Sequence, residues 1–294
     1  MADPVLNESV RVPTPRFVPT TRTQYLTSVF TMWGLLDGIM YRHRHEPPLY
    51  AYGYMRRIQL EKYSRVVFDS RGGVQTYCEV GVNGGHGTAA MLLASPTLVA
   101  HSWDEGRQGY SKEVFQTLTD YFGDRLILHK GNSHRLLPEA SKSFRRQCDL
   151  LLVDGDHSEE GAFQDIRDMR EMAACNATLF LDDVGSRPKR DGSAKQWFHN
   201  GPARALARAA DMGLVEIIDW TTYDNNSSPD NPCLRDKMGH APRCLGRWGW
   251  AMARFRHPAG SDCAPEGITA DQKRGVRSSR AGARGLVRRS QNHD

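Results

Sequence analysis

Asp149-Leu150-Leu151-Leu152-Val153-Asp154-Gly155-Asp156-His157 reads as a strand buried on both faces that ends in acids and a histidine. A second strand of the same kind follows at 177–181 and ends in Asp182-Asp183. Between them Ala162, Phe163, Ile166, Met169 and Ala173 recur at helical spacing, so the unit is strand, helix, strand. A right-handed crossover of this type carries both strand ends to one edge of a parallel sheet. Asp154, Asp182 and Asp183 are therefore expected to meet where ligands bind, and three gathered carboxylates call for a cation.

Working outward, strands are predicted at 76–81, 98–103, 125–129, 149–154 and 178–182, with helices between them. A long helix near 194–212 precedes strands at 214–220 and 247–255, which have no helix between them and can pair antiparallel. The expected fold is α/β, a doubly wound, Rossmann-like sheet of seven strands: five parallel ones and a terminal antiparallel hairpin. The hairpin connection, 221–246, holds Asn225-Asn226, Pro229, Pro232 and Gly239 and reads as a long loop of the kind that serves binding. Leu26, Val29, Phe30, Trp33, Leu36 and Met40 predict an amphipathic helix, and a second helical stretch covers 52–68. This N-terminal helical extension is expected to cover the domain, line a substrate pocket or pair with another copy in a homo-oligomer. The domain plan is an extended arm at 1–24, a helical cap at 25–70, the sheet domain at 71–257 and a tail at 258–294.

The net charge of +5 lies wholly in the tail, where Lys273, Arg274, Arg277, Arg280, Arg284, Arg288 and Arg289 face Asp271 and Asp294. The body is neutral, which argues against a groove that tracks nucleic-acid phosphates; only the tail has the charge for an acidic surface. With few apolar residues, the tail is expected to be disordered and solvated. No apolar run approaches the ~20 residues of a membrane-spanning helix. The start, Met1-Ala2-Asp3-Pro4, lacks the order of a secretory signal, so a cytoplasmic location is expected. Six scattered cysteines are expected to be reduced thiols. Cys233, His240 and Cys244 are too loosely spaced to predict a zinc site.

Cys78-Glu79-Val80-Gly81-Val82-Asn83-Gly84-Gly85-His86-Gly87-Thr88 is a strand that enters a glycine-rich turn and then a helix. Glycines there admit a ligand close to the backbone. No Lys-Ser or Lys-Thr pair closes the loop for a triphosphate. The dinucleotide pattern fits only if it starts four residues late, at Gly85.

Glu79 to Gly85 resembles the first motif of class I S-adenosylmethionine-dependent methyltransferases, over a region of about 70–255. That resemblance implies that Glu79, Gly81, Asn83 and Gly85 hold S-adenosylmethionine, and that Asp104, or Glu105 beside it, holds the ribose. It also implies that Ser133 in Gly131-Asn132-Ser133 flanks the adenine, with Asp154 bordering the cofactor. Within that superfamily, Asp154 with Asp182-Asp183 resembles the Mg²⁺ site of metal-dependent O-methyltransferases, which act on small-molecule hydroxyls. His157 stands where sugar and macrolide enzymes place a histidine and catechol enzymes a lysine, which implies a catalytic base. Asp183 departs from the Asn of the catechol type. An NAD-type oxidoreductase and a noncatalytic binding module are the alternatives. Asp156 with Glu159 fits a helix capping box, which would leave His157 in a first turn with no required chemistry.

Overall fold

The computed structural model describes residues 19–43, 55, 57–70, 72–185, 200–224, 247–258 and 263. Residues 1–18 of the arm, the connection 225–246 with Cys233, His240 and Cys244, and almost all of the tail lie outside them, while residues 22–24, expected in the arm, already belong to the first helix. The chain divides into two compact units, Met1–Arg256 and His257–Asp294. The first contains helices α1 (Arg22–Arg42) and α2 (Arg57–Asp69), then strands β1 (Thr76–Val80), β2 (Val99–Asp104), β3 (Leu126–Lys130), β4 (Cys148–Val153) and β5 (Ala173–Leu181). Helices α3 (His86–Ala94), α4 (Ser111–Phe122), α5 (Ser133–Ser143) and α6 (Glu159–Met172) connect these strands in turn. Helix α7 (Asn200–Asp211) leads to β6 (Val215–Asp224) and β7 (Arg247–Phe255).

The sheet order is β3-β2-β1-β4-β5-β7-β6, with parallel pairs up to β5 and antiparallel pairs after it. This is the expected seven-stranded fold. Its order reverses between β1 and β4, so the ends of these strands border the crevice in which such sheets hold ligands. The run that opens β4 explains its central place. Leu150 and Leu152 enter the core on one face of the sheet, while Leu151 and Val153 enter the core on the other. A strand apolar on both faces has no side to give to water.

Helix α1 begins at a capping box, in which the Thr21 hydroxyl accepts from Gln24 N and the Gln24 side chain accepts from Thr21 N. Its apolar face grips α3: the Trp33 indole donates to the His86 carbonyl at 3.0 Å, and the Tyr25 hydroxyl donates to that of Ala90 at 3.2 Å. Helix α2 rests on β5, where the Tyr63 ring stacks on Phe180 at 4.0 Å. Among the described residues no helix is long and apolar enough to cross a membrane.

The expectation of reduced thiols is wrong for the described cysteines. Cys78 on β1 and Cys148 on β4 form a disulfide, and Cys175 and Cys263 are disulfide-bonded as well. Linear spacing hides this pairing, since β1 and β4 become neighbours only when the sheet assembles. The bridge spans 70 residues of chain, a loop whose closure entropy is worth about 4 kcal/mol.

Strands β2 and β3 carry a stack of histidines and Trp103. His101 on β2 lies with its ring against Phe144 and its Nδ1 3.2 Å from Nε2 of His129, while His129 stacks on Trp103 at 4.5 Å. Burial, and then the neighbouring His129, push the His101 imidazole down to about 4; burial alone lowers His129. The unfolded chain binds these protons near the usual 6.5, so their contribution is complete above that pH and is lost as pH falls toward the folded value. Denaturant melts at pH 7 and pH 5 should differ by on the order of 1–2 kcal/mol more in the native chain than in His101→Phe. Equal differences would remove the stack from the pH response.

Candidate active site

The glycine loop is organised by two acids, Glu79 buried and Asp104 half-buried. Glu79 on β1 accepts from the hydroxyls of Ser102, Thr88 and Tyr77, so all of its contacts are internal. Burial raises its carboxyl to about 7 against the opposing pull of those hydroxyls. Asp104 Oδ2 accepts from both Val82 N and Asn83 N at 2.9 Å, and its Oδ1 accepts from Gly106 N at 2.6 Å. The acid at the end of β2 thus shapes the turn. Glu105 beside it pairs with Arg107 and accepts from Asn132 Nδ2 at 3.1 Å.

Within the loop, Asn83 has φ 48° and its side chain accepts from the Tyr110 hydroxyl. Gly81 and Gly85 also have positive φ, yet each answers to packing as well. A Cβ on Gly81 would stand 2.0 Å from the Asp154 carbonyl oxygen, and one on Gly85 would stand 2.6 Å from Leu118 Cδ1. Ser133, at the start of α5, donates to Asp165 Oδ1 at 2.8 Å; Asp165 is fully buried and also lies 3.4 Å from His134 Nε2.

The acids after β4 and β5 come together, but not as one set of three. Asp154, His157 and Asp183 each offer a ligand atom within 4.8 Å of the others. His157 Nε2 lies 3.5 Å from Asp154 Oδ1 and 3.3 Å from Asp183 Oδ2. Asp182 turns elsewhere, with its Oδ2 accepting from Gln59 Nε2 at 2.6 Å and its Oδ1 from Asp183 N at 2.7 Å. Asp183 has φ 52°, and at this left-handed residue the adjacent carboxylates diverge.

Burial raises the carboxyls of Asp154 and Asp182, and Asp183 raises both further. For His157 burial lowers the imidazole, but the hydrogen bond to Asp154 and the charges of Asp183, Asp154 and Asp182 outweigh it and hold it up at about 9. The donors fit a small divalent cation, since two carboxylates and an imidazole in reach of one point match common ligand chemistry. Carboxylates that raise one another are also short of positive charge, which a cation would supply.

The expected capping box is corrected here. Ser158 caps α6, accepting from Gly161 N at 3.0 Å, while Asp156 Oδ1 accepts from Ser158 N at 2.8 Å. Asp156 shapes the turn before the helix, which leaves His157 ahead of the first turn and facing the acids. Gln59 is the site residue that sequence reading passed over. It lies 123 positions from Asp182, and its one signal was a place in a predicted helix of undecided role.

A family model described as a methyltransferase domain matches residues 78–184, from β1 through the acids after β5. No curated protein matches the sequence. Among solved structures, the chain is similar to an O-methyltransferase from Bacillus cereus in complex with S-adenosylhomocysteine, with 10% identity and a TM-score of 0.53 over 82% of this chain and 94% of that one. It is also similar to an S-adenosylhomocysteine-bound methyltransferase from Podospora anserina, with 16% identity and a TM-score of 0.51 over 83% of this chain and 100% of that one. The segment 78–184 thus matches a methyltransferase domain model, and the strand order with its terminal hairpin is the fold this chain shares with those solved methyltransferases.

Proposed function

We propose that the protein transfers the methyl group of S-adenosylmethionine to a hydroxyl of a small molecule, with Mg²⁺ held at the ends of β4 and β5. The observation that carries this reading is the meeting of Asp154, His157 and Asp183 beside the point where the strand order reverses. The Bacillus cereus enzyme, bound to S-adenosylhomocysteine, supports the cofactor and the oxygen acceptor. Gly81, Asn83 and Gly85, with Glu79 and Asp104 bracing their turn, would receive the methionine and ribose, and Ser133 the adenine. Asp154 would border both cofactor and cation.

A cation held there would supply Lewis-acid chemistry, lowering the pKa of the acceptor hydroxyl. Asp154 and Asp183 would fix the cation; its charge would offset theirs and lower the imidazole that they hold at about 9, so that His157 would be free to take the proton from the acceptor, a role worth roughly 10²- to 10⁴-fold in rate. Asp182, expected as a third ligand, fits better behind Asp183, because both of its oxygens already accept hydrogen bonds. A second reading makes His157 itself a ligand, favoured by its distances of 3.3 and 3.5 Å to the two acids. His157→Ala decides between them: a base leaves Mn²⁺ affinity intact, whereas a ligand takes it away. The Cys78–Cys148 bridge suits an oxidising compartment better than the cytoplasmic location expected from the sequence.

The test uses the full chain, methyl-labelled S-adenosylmethionine and a panel of catechols, sugars and other vicinal diols, with Mg²⁺ or with EDTA. Transfer to oxygen that falls at least ~10-fold in EDTA is the expected result. EDTA-insensitive transfer would refute the cation. Calorimetry that finds NADH bound in place of S-adenosylhomocysteine would refute the reading as a whole, in favour of the oxidoreductase.

A further inference from the structure

We propose that Gln59, on the helical extension outside the matched methyltransferase segment, is a positioning residue of the cation site that acts through Asp182. The inference rests on the cation reading above. Gln59 is 1% exposed and its Nε2 donates to Asp182 Oδ2 at 2.6 Å. A primary amide buried to that degree is set by its hydrogen bonds and by what packs around it. The packing is firm. Tyr63, one helical turn along α2, stacks on Phe180 at 4.0 Å, and Phe180 stands two residues before Asp182 on β5. Lys62 adds an ion pair to Asp219 on β6 at 2.8 Å.

The other oxygen of Asp182 accepts from Asp183 N at 2.7 Å, and Asp183 has φ 52°. A left-handed residue other than glycine persists when its surroundings over-determine it. Here the restraint runs from α2 through the Gln59 amide to the Asp182 carboxylate, and from there to the Asp183 backbone. Asp183 is then aimed at Asp154 and His157. Without the Gln59 donor, the Asp182 carboxylate is free to rotate, the Asp183 turn relaxes, and the three donors lose their common point. Partners behind the ligands of a metal commonly set its affinity by roughly 10- to 100-fold.

The test titrates Mn²⁺ alone into cation-free, full-length protein, with detection by electron paramagnetic resonance. Gln59→Met and Gln59→Leu both remove the amide and keep an apolar packing surface. The expected result is a roughly 10- to 100-fold loss of Mn²⁺ affinity, with S-adenosylhomocysteine affinity unchanged and the cation-free Tm lowered by only a few degrees, the cost of one unpaired buried oxygen. In an Asp182→Ala background, Gln59→Met should cost little further affinity, because the two residues act in series. Native Mn²⁺ affinity in both variants would overturn the role of Gln59, as would losses of cofactor affinity and Tm parallel to the loss of Mn²⁺. Failure of the unsubstituted protein to bind Mn²⁺ would instead overturn the cation reading, and this inference with it.

Discussion

Asp154→Asn should lower methyl transfer by roughly 10²-fold or more, the consequence of losing several kcal/mol of charge stabilisation at the acceptor oxygen. Asp154 sits where two constraints meet. Its backbone N donates to the Val80 carbonyl at 2.9 Å, which fixes it at the mouth of the crevice, and its carboxylate faces His157 and Asp183. The substitution keeps the shape and the strand contact and removes the charge. Labelled-methyl assays at saturating acceptor, alongside calorimetry with S-adenosylhomocysteine and with Mn²⁺, separate the effects. Cofactor affinity within a few-fold of the native value and a marked loss of Mn²⁺ affinity are expected. A loss of cofactor affinity that matches the loss of rate would assign Asp154 to the cofactor alone.

Gly81→Ala should leave the chain unable to reach its native state, or destabilise it by more than about 4 kcal/mol. The new Cβ would stand 2.0 Å from the Asp154 carbonyl oxygen and 2.6 Å from its carbon, and the residue has φ 94°. Neither side can yield cheaply. Gly81 N donates to the Trp103 carbonyl at 2.9 Å, and Asp154 N is held by Val80, so relief would break ladder bonds between central strands. The comparison is Gly87→Ala, whose Cβ would meet its nearest neighbour, Met55 Cε, at 3.5 Å. Soluble yield and denaturant melts of the two variants check the prediction. A Gly81→Ala protein as stable as Gly87→Ala would refute the packing argument.

Much of the fold is legible in the sequence, because burial and periodicity are local properties. The run from Leu150 to Val153 has no polar face, so it reads as a buried strand, and the sheet places it at the centre. The missing helix between the last two strands foretold the antiparallel hairpin. The crossover rule led to the expectation that Asp154, Asp182 and Asp183 meet, but only Asp154 and Asp183 come within reach of one point, with His157, while Asp182 turns to Gln59. The glycines after β1 were legible as a tight turn, but as one made for a ligand. The close approach of the Asp154 and Gly81 backbones is a property of the β1–β4 pairing, and no pattern near residue 81 encodes it.

The sequence by itself determined the layers, the strand directions and the edge at which the acids gather, since each depends on neighbours a few residues apart. The tertiary structure decided which of those acids face one another. The left-handed turn at Asp183 and the Gln59 amide send Asp182 toward α2 and Asp183 toward His157. It also decided that Cys78 and Cys148 bond, 70 residues apart in sequence. In each case the physical reason is the same: hydrogen bonds, disulfides and steric contact act over a few ångströms, and which side chains lie within that reach is fixed when helix and sheet pack.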